Sequence, residues 1–339
     1  MVLAEAVTLL KYTYGIPFWF LYLKVVLILR RRSQVEFNTV FYRIVYYTGI
    51  SDCVGFWVNQ AINHWPNAPY ISELYSEIFT EETYLISPIY LLTYFTLYTT
   101  EFSGFLLALN RFTTLYYPAK SELLWRQHFK KILFLFVTIP LSVCVHLIVC
   151  PVKFECSAYR DCYFDAINLF YIPGRMRVRS SIFSISFSFL TLILNLWSIC
   201  SLALLRRKSD KANRKLLIYT VSVFLVILVL SIEQCTYSYE GVAKTHNPYI
   251  QAFINTYAHL YNLTLLMGGV LLLLTSSLVR RHFFKRRKMH RFIFTVLKGK
   301  NSHKGTVVFI TTNISVHRNS NRDISCSNFN INSAIRGRE

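Results

Sequence analysis

Residues 107–118 of this 339-residue chain read LALNRFTTLYYP. They close an apolar run of about two dozen residues, and the run stops at the pair Asn110-Arg111. A helix of about 20 apolar residues crosses a bilayer core about 30 Å thick, so this run is long enough to span a membrane. The pair is then either the polar end of a membrane helix or a functional motif.

The composition of the whole chain favours a membrane as its surroundings. Hydrophobic residues make up 53% of the chain and charged residues only 16%, whereas about a quarter of the residues in soluble domains are charged. The net charge of +20 lies in short basic clusters between apolar runs. That distribution is typical of cytoplasmic loops, and it argues against nucleic acid as the partner.

Seven apolar runs are long enough to cross a membrane, which predicts an all-α membrane protein with a seven-transmembrane helix bundle. The predicted spans are residues 8–29, 37–61, 83–109, 130–150, 181–205, 215–235 and 251–279. The stretch IYTVSVFLVILVL at 218–230 would suit a strand by composition, but its uninterrupted length and basic flank favour a helix.

The segments between the spans predict the orientation of the bundle. Lys and Arg number 23 on one side of the membrane and 6 on the other. Cytoplasmic loops carry the excess of basic residues, so we predict the N-terminus outside and the C-terminus in the cytoplasm. The basic side comprises residues 30–36, 111–131, 206–215 and 279–300, and the other side comprises residues 62–82, 151–180 and 236–250.

The chain after the last span divides into two parts. Residues 280–300 form a basic juxtamembrane segment that mixes Lys and Arg with Phe and Ile. This pattern predicts either an amphipathic helix held by anionic membrane lipid or a basic flank without defined structure. Residues 301–339 are rich in Asn and Ser, which predicts a cytoplasmic tail that is mostly disordered.

Ionisable residues inside the spans are costly and mark candidate functional sites. Arg43 and Glu101 lie roughly 9 Å and 12 Å from the cytoplasmic ends of their spans, and we predict that they form an interhelical pair. Alternatively, Arg43 reaches the headgroups, and Glu101 is protonated or faces water. Asp52 is the third member of this candidate polar network. It binds an ion, polarises a water network or faces a ligand. Alternatively, it forms a hydrogen bond to a hydroxyl of a neighbouring helix. Glu233 is interpreted as reaching the outer interface.

Three tyrosines form the candidate ligand pocket. Tyr90, Tyr94 and Tyr98 follow one another at steps of four, which places them on one face of the third span, above Glu101. If that face looks into the bundle, the rings line a pocket. The alternative is ordinary aromatic packing between helices.

The cysteines predict one disulfide and no metal site. Cys156 and Cys162 lie in an outer loop, where the oxidising surroundings favour a bond between them, although Cys150 and Cys235 compete as partners. No metal-ligand spacing, phosphate-binding loop, dinucleotide fingerprint or nucleophile motif is present. We therefore predict no catalytic residues, no cofactor and no enzymatic activity.

The string LALNRFTTLYYP, with LLWRQH at 123–128 and Lys130-Lys131 after it, resembles the nematode chemosensory serpentine receptors. The stretch YTYGIPFWFLY at 12–22 and Arg43 in the second span resemble the gamma class, Srg. The resemblance covers residues 8–300 and implies membership of the seven-transmembrane G-protein-coupled receptor superfamily. It implies that Asn110, Arg111 and Phe112 form the G-protein-coupling motif.

The chain departs from rhodopsin-like receptors at several positions. Asn110 stands where those receptors carry an acid, so the usual salt bridge to the arginine is absent. The sixth span contains no proline, and the seventh has Asn262-Leu263-Thr264 without one. No cysteine near residue 84 is available to bond the second outer loop. Basic residues at the inner end of the sixth span offer Arg111 no acid.

The resemblance implies a chemosensory receptor in the plasma membrane of sensory neurons. Its expected partners are a small external ligand of the odorant or pheromone type and a heterotrimeric G protein. The main alternative is a seven-span transporter or channel, although the internal repeats common in that class are not seen. A third interpretation is a receptor-like membrane protein that acts only by binding lipid or a partner.

Overall fold

A computed structural model describes residues 2–33, 36–118, 120–156, 162–167, 175–204, 211–243, 253 and 256–284. The predicted basic segment 280–300 is therefore described only as far as residue 284. The predicted disordered tail, residues 301–339, lies outside the described residues.

In the part of the chain that the structure describes, seven long helices occupy the regions of the seven predicted spans. They are α1 (Val2–Arg32), α2 (Val40–Asn59), α4 (Ser87–Tyr116), α5 (Ser121–Cys144), α6 (Arg175–Leu204), α7 (Lys211–Ala243) and α8 (Tyr257–Thr275). The shorter helices α3 (Pro69–Ile78) and α9 (Ser277–Phe283) lie after α2 and α8. Among the described residues, the regions of α5, α6, α7 and α8 are long and apolar enough to cross a membrane by length and composition alone.

The ends of the helices follow from local chemistry. Helix α4 begins with Pro88 in its first turn, where the missing N–H costs nothing, and it ends at Tyr116, just before Pro118. It therefore runs past the predicted end at residue 109. The predicted last span divides at Ser276, whose hydroxyl accepts a hydrogen bond from the Val279 amide at 3.3 Å and caps α9.

Helix α4 is the centre of the bundle, since it packs against α2, α5, α6 and α7. Helix α1 packs against α2 and α8. At the α1–α8 contact the buried ring of Tyr22 lies directly on Gly268 and Gly269, where any larger residue would collide with it. Small residues of this kind let membrane helices approach closely, and van der Waals contact then stabilises the pair.

A short hairpin covers one end of the bundle, called here the hairpin end. Strands β1 (Val152–Cys156) and β2 (Cys162–Ala166) pair antiparallel, and a disulfide joins Cys156 to Cys162. Cys150 and Cys235, the competing partners, are free thiols. Tyr75 of α3 contacts the hairpin rings Phe154 and Phe164, and Phe79, the residue just after α3, contacts Phe164.

Backbone hydrogen bonds tie the hairpin to the segment before α4. Thr83 and Val152 exchange two of them, at 3.0 and 2.9 Å. The Ser87 hydroxyl donates to the Cys150 carbonyl oxygen at 2.6 Å. These contacts join the start of α4 to the hairpin without the disulfide that rhodopsin-like receptors use there.

At the opposite end, called the Arg111 end, α9 is fastened to the segment between α1 and α2. The Glu36 carboxylate meets His282 at 2.7 Å and Arg281 at 3.2 Å. The hydrogen bond from His282 lowers the pKa of the Glu36 carboxyl below its ordinary value. The Lys24 ammonium also lies 3.9 Å from the centroid of the Phe283 ring. These contacts hold α9 against the bundle.

Candidate functional site

The Asn-Arg pair lies inside the bundle. Asn110 and Arg111 are 2% and 6% exposed, although both stand in the last two turns of α4. An Arg111 guanidinium nitrogen donates to the Asn110 side-chain oxygen at 2.7 Å. The same guanidinium lies over the ring of Phe41 from α2, 4.4 Å from its centroid. Within the described residues Arg111 has no ion pair, so its charge is balanced by an amide dipole and an aromatic face.

The residues after Arg111 anchor the end of α4 to two other helices. The Phe112 ring packs edge-on against Trp197 of α6, with the ring centroids 5.7 Å apart. From α5, the Trp125 indole donates to the Thr113 hydroxyl at 2.8 Å. Arg111 therefore sits where α2, α4, α5 and α6 converge, and a change in any of these contacts would alter its surroundings.

Asp52 forms a second buried centre, deeper in the bundle. Its two carboxylate oxygens accept hydrogen bonds from the hydroxyls of Tyr22 at 2.8 Å and Thr100 at 2.7 Å. This geometry matches the predicted hydrogen bond to a neighbouring hydroxyl, with two donors instead of one. The cluster joins α1, α2 and α4 beside a cavity of about 20 Å³, also lined by Thr48 and Ser103, which is room for about one water molecule.

The predicted pair between Arg43 and Glu101 does not form. An Arg43 guanidinium nitrogen donates to the Asn38 side-chain oxygen at 2.9 Å, and the guanidinium lies 5.6 Å from the Phe129 ring centroid. Glu101 instead accepts a hydrogen bond from the Ser184 hydroxyl of α6 at 2.5 Å. The prediction was wrong because it matched the depths of the two residues and ignored their directions around the helices.

The helical rotation explains how the candidate network separates. Successive residues of a helix point about 100° apart. Thr100 faces α2 and reaches Asp52, so Glu101 points towards α6 and Ser184. Arg43, Asp52 and Glu101 therefore belong to three separate sets of contacts and not to one network.

The three predicted pocket tyrosines form a continuous ladder on α4. The ring centroids of Tyr90 and Tyr94 are 5.3 Å apart, and those of Tyr94 and Tyr98 are 6.0 Å apart. Tyr98 is fully buried and contacts Phe183 of α6 at 4.8 Å. The ladder thus faces the neighbouring helices, and Glu101 follows it towards the centre of the bundle.

Comparison with known families gives the class of the protein. Residues 8–283 match the profile described as "Srg family chemoreceptor", which covers most of the chain. The chain belongs to the Srg family of chemoreceptors. It is therefore a seven-transmembrane serpentine chemoreceptor and a multi-pass membrane protein. This confirms the resemblance to the gamma class. Among curated proteins, none matches the sequence.

The two groups of candidate residues in this Srg chemoreceptor lie in different parts of α4. The Asn110-Arg111-Phe112 triplet lies in the last two turns of the helix. The ladder of Tyr90, Tyr94 and Tyr98 lies nearer the hairpin end. The sequence identified both groups, but their roles stay predictions.

Several residues important to this chemoreceptor have contacts that the sequence interpretation missed. Phe41 covers Arg111, and Tyr22 and Thr100 hold Asp52. Phe41 lies near the start of the predicted second span, at the same end of the bundle as Arg111, so its position in the chain would have made it a candidate. Glu233 is fully buried, so the interpretation that it reaches the outer interface was wrong.

Proposed function

We propose that this Srg chemoreceptor binds a small external ligand and signals through a heterotrimeric G protein. The proposed orientation places the hairpin end outside and the Arg111 end in the cytoplasm, because the Arg111 end carries the excess of basic residues. In the proposed setting, the plasma membrane of a sensory neuron, the ligand is of the odorant or pheromone type. Anionic lipid contacts the basic segment after α9.

The observation that best supports this proposal is the state of Arg111. An arginine is expensive to hold in a membrane bundle without a close counter-ion. Among the residues that the structure describes, the buried Arg111 forms no ion pair, and its guanidinium is bonded to Asn110 and lies over the Phe41 ring. Both contacts are weaker than a buried ion pair. These contacts therefore keep the Arg111 side chain inside the bundle in the resting state. They are also weak enough for the side chain to leave the bundle when the receptor is activated.

The proposed mechanism is a shift between two states of the bundle. A ligand at the tyrosine ladder of α4 favours the state in which α7 moves away from α4 at the Arg111 end. Arg111 then leaves the Phe41 ring and contacts the C-terminal helix of a Gα subunit. The two sites are coupled because both lie on α4, which packs against α2, α5, α6 and α7.

A ligand screen in cells that express the chain with a promiscuous Gα subunit tests this function. We expect at least one small molecule to raise the second-messenger level above that of cells without the receptor. Reconstituted liposomes supply the opposing measurement. Ion flux or solute uptake through the purified protein, without any Gα response, would instead support a transporter or channel.

The contact between Arg111 and Phe41 predicts how the replacement of Phe41 will affect ligand-independent signalling. Phe41→Leu keeps most of the buried volume but removes the aromatic face under the guanidinium, so the resting state is destabilised. A cation–π contact contributes about 0.5–2 kcal/mol, which corresponds to a rise in ligand-independent signalling of about 2- to 30-fold. Basal second-messenger level, normalised to surface expression, measures this.

Phe37→Leu is the matched control for this experiment. Phe37 is also a buried ring near the start of α2, but its ring contacts are with Tyr42 and His282, and the cation–π contact of Arg111 is with Phe41. Its replacement should leave basal signalling at the wild-type level. Equal basal signalling in Phe41→Leu and wild type would show that the ring does not restrain Arg111.

A further inference from the structure

Two buried carboxylates in the bundle each have one oxygen without a hydrogen-bond partner. Glu101 and Glu233 are 2% and 0% exposed. One oxygen of Glu101 accepts from Ser184 at 2.5 Å, and one oxygen of Glu233 accepts from Thr256 at 3.2 Å. Among the described residues, the second oxygen of each has no partner. Such atoms are costly in an apolar interior, so each free oxygen is an acceptor that a donor group of a ligand would stabilise.

The two carboxylates border the same aromatic residues. Tyr257, the first residue of α8, directly follows Thr256, which holds Glu233. The ring of Tyr257 stacks on that of Tyr261, whose hydroxyl donates at 3.0 Å to the carbonyl oxygen of Thr93, the residue before Tyr94 on α4. Tyr98 follows Tyr94 on α4, with 6.0 Å between the ring centroids, and Glu101 lies about one turn further along the same helix. Helices α4, α7 and α8 therefore bring two acids and three tyrosine rings into one region. This region adjoins the part of the tyrosine ladder that lies farther from the hairpin end.

The chemistry of this region selects an organic cation. A protonated amine supplies N–H donors for the free carboxylate oxygens and a positive charge that the faces of tyrosine rings attract. A metal ion fits less well, because the described residues contain no group of three or more His, Cys, Asp or Glu side chains that could hold one. A neutral alcohol would supply a donor but no compensating charge.

We propose that the region between Glu101 and Glu233, walled by Tyr94, Tyr98 and Tyr257, binds the protonated amine of the ligand. This inference rests on the proposed function, in which the receptor binds a small external molecule, and it names the chemical class of that molecule. The two carboxylates share the positive charge, and the rings enclose the carbon next to the nitrogen.

The test is the thermal stability of the purified receptor in detergent at neutral pH. The probes are primary amines paired with alcohols of the same carbon skeleton, namely 2-phenylethylamine with 2-phenylethanol and hexylamine with hexanol. We expect at least one amine to raise the melting temperature while its alcohol does not. Glu101→Gln and Glu233→Gln should each weaken that amine about tenfold or more, because a buried charge partner is removed.

Glu77→Gln is the control, because Glu77 is exposed on α3, whereas Glu101 and Glu233 are buried. This variant should bind the amine as wild type does. Melting without ligand first establishes that each variant is folded. Tyr94→Leu provides a second variant, in which the loss of one ring should weaken the amine while both carboxylates remain.

Three results would overturn the amine site. In the first, no amine of the panel stabilises the wild type. In the second, an alcohol stabilises the wild type as much as its matching amine does. In the third, the Gln variants bind the amine as the wild type does. The assay contains no G protein, so its failure is separate from a failure of signalling. A neutral ligand that activates wild type and Glu101→Gln equally would also refute the amine site while leaving the proposed function intact.

Discussion

Replacing Arg111 by alanine will abolish ligand-dependent signalling while leaving the receptor at the cell surface. The proposed active state requires the guanidinium to leave the Phe41 ring and contact Gα, and alanine has no group that can do so. Folding should survive, because Arg111 makes no ion pair within the described residues, and its main contacts are Asn110 and Phe41. Second-messenger response and surface labelling, measured on the same cells, separate the two effects.

Arg126→Ala is the matched control for the loss of Arg111. Arg126 lies at the same end of the bundle on α5, but its side chain is 45% exposed and paired with Glu122. An exposed pair of this kind contributes about 0–1 kcal/mol, so its removal should change neither expression nor response appreciably. A full ligand response from Arg111→Ala would contradict the receptor mechanism proposed for the Asn-Arg-Phe triplet.

Replacing Gly269 by alanine will strongly reduce the thermal stability of the bundle. A Cβ at this position would lie 2.4 and 2.6 Å from two ring carbons of Tyr22. That ring has little room to move, because it is buried and its hydroxyl is bonded to Asp52. Overpacking of this kind costs about 1–3 kcal/mol. Thermal unfolding of the purified protein in detergent, at equal receptor concentration, measures the loss.

Gly104→Ala is the control for this effect. A Cβ at Gly104 would lie 2.7 Å from the terminal methyl carbon of Ile227, which is the flexible end of a side chain and can rotate away. We therefore expect a much smaller loss of stability. If Gly269→Ala melts like the wild type, then α1 and α8 do not pack as closely as described.

The sequence predicted the fold well because the membrane restricts what an apolar run can become. In lipid, a helix satisfies every backbone hydrogen bond within itself, so a run of sufficient length has one stable outcome. All seven runs became long helices, including the stretch at 218–230 that would suit a strand by composition. The ends were less well predicted. Helix α4 passes through Asn110 and Arg111, because a helix can continue beyond the apolar residues until Pro118 stops it.

The sequence predicted which residues belong to the candidate site, but not which residues they contact. The spacing of Tyr90, Tyr94 and Tyr98 correctly places them on one face, since that property belongs to a single helix. The pairing of Arg43 with Glu101 was wrong, since it depended on how two helices are rotated against each other. A shift of one residue, from Thr100 to Glu101, changes the neighbouring helix from α2 to α6.

Sequence alone therefore determined the seven-span class and the receptor family, because span length and the Asn-Arg-Phe string are properties of the chain in one dimension. Only the tertiary structure decided that Phe41 covers Arg111, that Tyr22 and Thr100 hold Asp52, and that Glu233 is buried. These contacts depend on the rotation and close approach of helices. Those variables are set by the packing of small residues such as Gly269 against rings from distant parts of the chain.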